Sequence, residues 1–507
     1  MKRLLRFFLG RGFIITASIT IQLAVILWLI YKLSTYSIVI YFIMSTMSFV
    51  FAVLIAADNI PSASKTAWLF PMLLMPVLGW TLFFMFCQRK TSRLKKKYLK
   101  SRSNSVFEIT QETKEKLYNE DYRATVQSIF LIKNTGSSIY CDSNVAYYPN
   151  GEQFIVSYLE ELKKAEQFIF IEYFIIGEGK IWNSISEILI QKAKTGVDIR
   201  ILYDDFIAIF AFNSGYDNYL KSKGIKIMRF NKLTPYLSMS HNYRDHRKIT
   251  VIDGKTGFTG GLNLADEYVN LVQRFGYWKD TAVKLTGNAV NELTKMFLEA
   301  WNFTCCTEFS DLNSFKYYNN ENNKMDNGFI VPFGDSPMSD FSVSKLAYIN
   351  MINMARKYIY ITTPYLIIDE EMITALTLAS RNGIDVRIIT PNIPDKKYVQ
   401  IVTRSNYSIL MKAGVRVYEY RPGFIHSKII LSDDKFSIIG TVNFDFRSFY
   451  MLFENGLFMY KTECINDIKN DYKDMIAKSI EISEKTFKYN ILQKFFTAFM
   501  RLLSPFL

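Results

Sequence analysis

Cysteine and histidine are scarce in this chain of 507 residues, with five of the first and three of the second. The cysteines (Cys87, Cys141, Cys305, Cys306 and Cys464) are odd in number and lack metal-ligand spacing. That argues against a disulfide framework and against a zinc site. Acidic residues are nearly missing from the first 106 positions, where fourteen Lys and Arg face Asp58 alone. The formal charge of +14 therefore sits almost wholly in that segment, and the rest is close to neutral. A nearly neutral remainder disfavours a nucleic-acid binder, the class that the net charge alone suggests.

What the first hundred residues do contain is three apolar stretches: Phe13–Tyr31, Ile38–Ala57 and Ala67–Cys87. Each is about 20 residues long, the length an α-helix needs to cross ~30 Å of hydrocarbon. Two or three transmembrane helices are expected, because Pro71 and Pro76 make the third stretch a candidate re-entrant segment. Eight Lys and Arg crowd Arg89–Arg102, so the positive-inside rule puts the rest of the chain on the cytoplasmic side. The same run suits anionic lipid head groups.

The remainder is built twice. "AEQFIFIEYFI" (Ala165–Ile175) pairs with "ARKYIYITTPYL" (Ala355–Leu366), and "KTGVDIRILYD" (Lys194–Asp204) with "RNGIDVRIITP" (Arg381–Pro391). The first pair reads as a helix end and then a short apolar strand, the second as helix, glycine cap and β-branched strand, the alternation of α/β units with mainly parallel sheets. The Asn-rich stretch Lys316–Gly328 separates the copies as a linker or loop.

A third repeated element carries the chemistry. Copy one is His246-x-Lys248-x4-Asp253-x6-Gly260-Gly261-x-Asn263, and copy two is His426-x-Lys428-x4-Asp433-x6-Gly440-Thr441-x-Asn443, with every gap conserved. The third histidine, His241, has no counterpart and reads as a loop residue. On a strand, residues two apart share a face, so each imidazole lies beside an ammonium. A metal site would not place that charge next to its ligand. Two imidazoles, two ammoniums and two carboxamides instead describe a pocket for a tetrahedral anion such as a phosphodiester. One histidine can attack phosphorus while the other protonates the leaving alkoxide. A carboxylate on the far ring nitrogen would fix each tautomer, and Glu454 and Asp280 are the candidates. No cofactor is called for.

These residues resemble the phospholipase D superfamily and, more narrowly, bacterial cardiolipin synthases. Beside the paired motifs, the resemblance rests on "KTAWLFPMLLMPVLGW", "LYDD", "GGLN", "WKDT", "NFDFRS" and the terminal "RLLSPFL". It implies N-terminal transmembrane helices followed by two pseudo-twofold-related α/β domains packed as one catalytic unit. The boundaries are then a membrane segment at 1–106, domains at 107–315 and 329–490 with a linker at 316–328, and a C-terminal amphipathic helix at 491–507. It further implies that His246 is the nucleophile and His426 the general acid, that Lys248, Lys428, Asn263 and Asn443 bind phosphate, and that Asp253 and Asp433 support them. The implied reaction, on the cytoplasmic side of a bacterial cell membrane and without a metal, joins two phosphatidylglycerols into cardiolipin and releases glycerol. The motifs would serve equally a membrane-bound hydrolase or a transferase with another donor or acceptor. A non-catalytic lipid-binding scaffold is the reading from another class, and the oligomeric state is open. Two positions depart from the pattern: Gly261 stands where Ser or Thr is usual, and Asp245 precedes the first histidine where Asn is expected.

Overall fold

A computed structural model describes residues 11–36, 38–58, 60–75, 79, 83, 92–102, 111–206, 215–234, 239–306, 315, 328–483 and 491–506. The linker expected at 316–328 lies almost wholly outside them. The chain divides into two compact units, one of residues 1–90, 231–243 and 489–507 and the other of 91–230 and 244–488.

In the first unit, helices Arg11–Tyr36, Ile38–Ala57 and Ser62–Leu74 follow one another. The third apolar stretch does not make one long helix: Pro71 lies inside Ser62–Leu74, which stops where the Met75 N–H donates to the Pro71 carbonyl. Its 13 residues rise only ~20 Å, short of the ~30 Å of a hydrocarbon core. Among the described residues no helix is long and apolar enough to cross a membrane, so the expected transmembrane helices are not supported. Trp68 centres a small core with Ala52, Ile55, Met72 and Phe83. The Phe506 ring lies 4.9 Å from that of Trp68. The C-terminal helix, Ile491–Leu502, therefore belongs with the N-terminal helices, and it leaves Ile491, Leu492, Phe495 and Phe496 exposed.

The second unit holds two sheets of one topology. The first runs Ser143–Tyr148, Ala282–Gly287, Thr256–Gly260, Lys248–Ile252, Phe168–Tyr173, Asp198–Asp204, Lys226–Phe230. The second repeats that order as Phe329–Asp335, Leu452–Tyr460, Phe436–Gly440, Ile429–Ser432, Tyr358–Thr362, Asp385–Pro391, Arg416–Tyr420, and adds Ser479–Glu481 at its edge. Mainly parallel sheets were the expectation, but in each sheet only three neighbouring strands are parallel. The HxK strand and the next one are antiparallel because a tight hairpin joins them. Asp253 and Gly254 (φ 53° and 66°), like Asp433 and Asp434 (φ 53° and 59°), supply its left-handed turn.

Strands Phe168–Tyr173 and Lys248–Ile252 are buried along their whole length, which is why they read as apolar runs and not as alternation. Helix Ser92–Ser101, inside the expected lipid-facing basic run, is partly turned onto this unit. Its Tyr98 ring lies 5.9 Å from that of Phe453, Lys97 Nζ sits 4.3 Å over Phe303, and Arg102 donates to the Thr135 carbonyl. Lys96 and Lys100 remain exposed.

The halves also exchange main chain. Arg244–Asp245 pairs in parallel with Leu452–Phe453, and Tyr277–Lys279 pairs in parallel with Gly423–Ile425. Continuing each register by one residue sets His246 beside Glu454 and His426 beside Asp280.

Candidate active site

The exchange decides which carboxylate serves which imidazole. His246 donates its backbone N–H to the Phe453 carbonyl at 2.9 Å, and its Nδ1 lies 3.0 Å from both Glu454 carboxylate oxygens. His426 donates its backbone N–H to the Lys279 carbonyl at 2.7 Å, and its Nδ1 lies 2.6 Å from Asp280 Oδ2. Each acid belongs to the half opposite its histidine, a crossing that sequence order does not show. All four side chains are buried, as are Lys248 and Lys428. The two lysines mirror each other: Lys248 Nζ donates to the His246 carbonyl at 2.6 Å, and Lys428 Nζ to that of His426.

Burial dominates the electrostatics, because a charge loses its hydration there. It brings Lys248 down to about 7 and Lys428 to about 8, with Glu454 and Asp280 opposing the loss. Burial and Lys428 bring His426 to about 4, against the pull of Asp280. Burial, then Lys248, Lys428 and Arg447, hold His246 well below the usual imidazole range. The acids part company. Burial pushes Glu454 up to about 8 despite Lys248. For Asp280, burial is outweighed by His426 and Lys428, and its pKa falls below the ordinary value. The two acids thus move in opposite directions, the His426 partner down and the His246 partner up.

Aromatic rings keep both imidazoles out of bulk water. Phe174 lies 5.2 Å from His246, and Trp278, Phe424 and Tyr268 lie 5.5, 5.7 and 5.8 Å from His426.

Two expected members stand elsewhere. The Asp253 carboxylate accepts from the backbone N–H groups of Glu166, Gln167 and Phe168, each at 2.8 Å. Asp433 accepts from those of Arg356, Lys357 and Tyr358, and from Arg123 Nη1 at 3.0 Å. Both aspartates lie at the far end of their strand from the histidine and tie the hairpin to the start of the neighbouring strand. They act as supports through the backbone of the hairpin and bond neither histidine ring. Asn263 accepts from the Ile175 N–H at 3.1 Å and donates one of its two amide hydrogens to the Tyr268 hydroxyl at 2.8 Å. Asn443 differs: it is buried, and its Oδ1 has no partner among the described residues.

The two departures now have physical reasons. A Cβ on Gly261 would meet Asp280 Oδ1 at 2.1 Å. The short aspartate reaches His426 only across a glycine. In the second half the longer Glu454 leaves room for Thr441, whose hydroxyl donates to it. Asp245 accepts from the Arg247 N–H and Nε, both at 3.2 Å, and so holds the turn beside His246 without bonding its ring. His241 Nε2 accepts from the Thr234 N–H at 3.3 Å, as befits a loop residue. Arg447 and Ser448, inside "NFDFRS", also stand at the site. Ser448 Oγ accepts from the Asn443 N–H at 3.2 Å and also bonds Glu454. Among the described residues no group of three or more His, Cys, Asp and Glu is placed to hold a metal ion.

Comparison with known proteins agrees along the chain. The family described as "Cardiolipin synthase, PLD-like domain" matches residues 158–301 and 348–476. A cardiolipin synthase of Alkalihalophilus pseudofirmus is 34% identical over 472 residues, covering 91% of this chain and 93% of its own. Cardiolipin synthase 2 of Bacillus anthracis is 33% identical over 465 residues, covering 91% and 90%. An uncharacterised protein of Streptococcus mutans is 40% identical over 456 residues, covering 89% and 98%. In fold, the crystal structure of phosphatidylserine synthase from Haemophilus influenzae superposes with a TM-score of 0.55 at 14% identity, covering 72% of this chain and 95% of that one.

Proposed function

The chain belongs to the cardiolipin synthase family of PLD-like phosphatidyltransferases, and on that premise we propose that it converts two phosphatidylglycerols into cardiolipin and glycerol through a phosphohistidine. The observation that carries this reading is the pair of crossed His–carboxylate contacts, His246–Glu454 and His426–Asp280, flanking two buried lysines. Such a site stores the cost of two desolvated ammoniums until a phosphodiester enters, so electrostatic stabilisation of the anion is built in.

The unlike acids divide the roles. Burial brings free His426 to about 4, but ionised Asp280 pulls the other way and the anionic phosphodiester adds to that pull on entering, so His426 takes up its proton with the substrate and serves as the general acid. His246, whose protonation is opposed by burial and by three cations, is the neutral nucleophile. His246 Nε2 attacks phosphorus, the bond from phosphorus to the glycerol oxygen breaks, and His426 gives that oxygen its proton. In the return step the hydroxyl of a second phosphatidylglycerol gives its proton to His426 as its oxygen bonds phosphorus and the P–N bond breaks. Transfer outruns hydrolysis where the pocket excludes water, as the aromatic rings around both imidazoles favour.

The exposed apolar residues of Ile38–Ala57 and Ile491–Leu502 support attachment of the first unit to a lipid bilayer. The basic run at Arg89–Arg102 supports a cytoplasmic catalytic unit.

The test is to incubate the purified full chain with phosphatidylglycerol in liposomes and follow cardiolipin and glycerol by mass spectrometry, beside His246→Ala and His426→Ala. Equal molar cardiolipin and glycerol from the intact protein alone supports transfer. Phosphatidic acid without cardiolipin refutes it.

A further inference from the structure

The two halves are not equivalent around their shared centre, and the clearest difference is a cation. Arg447 stands four residues after Asn443. At the matching place, four residues after Asn263, the first half carries Glu267. Glu267 has a cation of its own, Arg274 at 3.8 Å. Arg447 is part-buried, and its guanidinium makes no hydrogen bond or ion pair with any described residue.

Its position is fixed by the site itself. The short helix Phe446–Tyr450 is capped by Asp445, which accepts from the Ser448 N–H at 2.7 Å. The Ser448 hydroxyl in turn bonds the Asn443 N–H and Glu454. Arg447 is thus held one residue from a side chain that touches the partner of His246, and its charge acts on His246.

The acids that Arg447 faces, Asp445 and Asp204, are already engaged. Asp445 serves as the helix cap, and Asp204 accepts from Arg244 Nη1 at 3.2 Å and from the Asp245 N–H at 3.0 Å. Arg244, also facing it, carries the same charge. A desolvated guanidinium without a partner among the described residues is costly to keep and fits an anion that arrives with the substrate.

The proposed reaction brings such an anion. The donor phosphate lies between Lys248 and Lys428, but the accepting lipid enters with a phosphodiester of its own, and the product carries both. We propose that Arg447 binds the phosphodiester of the accepting lipid, so that the second half of the site selects an anionic acceptor over a neutral alcohol or water. This rests on the transfer reaction proposed above. A planar guanidinium suits the task because it can grip two phosphate oxygens at once.

The experiment gives the full-length protein in mixed micelles two acceptors in parallel, phosphatidylglycerol alone and phosphatidylglycerol with ethanol. Cardiolipin and phosphatidylethanol are counted for wild type, Arg447→Gln and Arg447→Lys. In the glutamine variant cardiolipin formation should fall by about ten- to a hundredfold, the size of a lost charge-assisted contact. Phosphatidylethanol formation should change by less than about threefold, because burial, Lys248 and Lys428 still keep His246 neutral when the more weakly acting charge of Arg447 is lost. The lysine variant should recover part of the loss. Equal falls in both products, or no fall in either, would overturn the assignment to the acceptor. Phosphatidylethanol without cardiolipin from the wild type would instead overturn phosphatidylglycerol as the acceptor in the proposed reaction, and this inference with it.

Discussion

Replacing Asp253 by Asn separates a structural aspartate from a catalytic one. Asparagine tolerates the left-handed backbone at this position, φ 53°, so the turn itself is retained. What changes is the carboxylate, which takes three backbone N–H groups at 2.8 Å. An amide offers one oxygen in place of two and turns an N–H against a donor. Losing one or two charge-assisted bonds and leaving a buried N–H unmet costs about 2–4 kcal/mol. For the unit of residues 91–230 and 244–488, with an unfolding entropy of about 2 cal/mol/K per residue, that lowers Tm by roughly 2–5 °C. The assay is thermal unfolding of the detergent-solubilised full chain followed by CD, with cardiolipin synthesis measured well below Tm and normalised to folded protein. Turnover per folded molecule should stay within about threefold of wild type. Unchanged Tm with a loss beyond about a hundredfold would refute the reasoning and return Asp253 to the reacting group.

The unlike acids predict unlike variants. Asp280→Asn removes the charge that supports a proton on His426 and should lower kcat by about a hundredfold or more, whereas Glu454→Gln imitates a carboxyl already protonated below about 8 and should lose under about tenfold at pH 7, both read from initial rates. Gly261→Thr gives the first half the residue that the second carries as Thr441, yet should abolish most activity, because its Cβ displaces Asp280; normal activity in initial-rate assays would contradict the packing argument. The lysines set an alkaline limit: Lys248 is charged below about 7 and Lys428 below about 8, so phosphate capture strengthens as pH falls and weakens as pH rises through that window. The KM for lipid in a pH series should therefore climb above pH 8 by up to about tenfold per unit for each lysine involved.

The sequence by itself determined a good deal. Two copies of His-x-Lys with identical gaps mark a duplicated motif, because strand alternation sets each histidine beside its lysine wherever the strand lies. The apolar runs at Phe168–Tyr173 and Tyr358–Thr362 show buried strands, and the matching order of motifs leads to two sheets of one topology. A local signal in the same motifs also fixes the turns. Asp253-Gly254 is a hairpin signature, and read as one it moves the aspartate away from the chemistry and makes the neighbouring strand antiparallel.

Only the tertiary structure decided which acid meets which histidine. Asp280 and Glu454 are visible as candidates, but their pairing depends on Arg244–Asp245 and Tyr277–Lys279 crossing to the opposite half, and no local propensity records that exchange. The same holds for the unequal protonation of the two acids, which arises from burial and from the cations that folding gathers. Gly261 shows the difference in one residue. In the sequence it is a missing hydroxyl, and in the fold it is the space through which Asp280 reaches His426, because a contact across nineteen positions and a domain interface exists only once the chain has closed on itself.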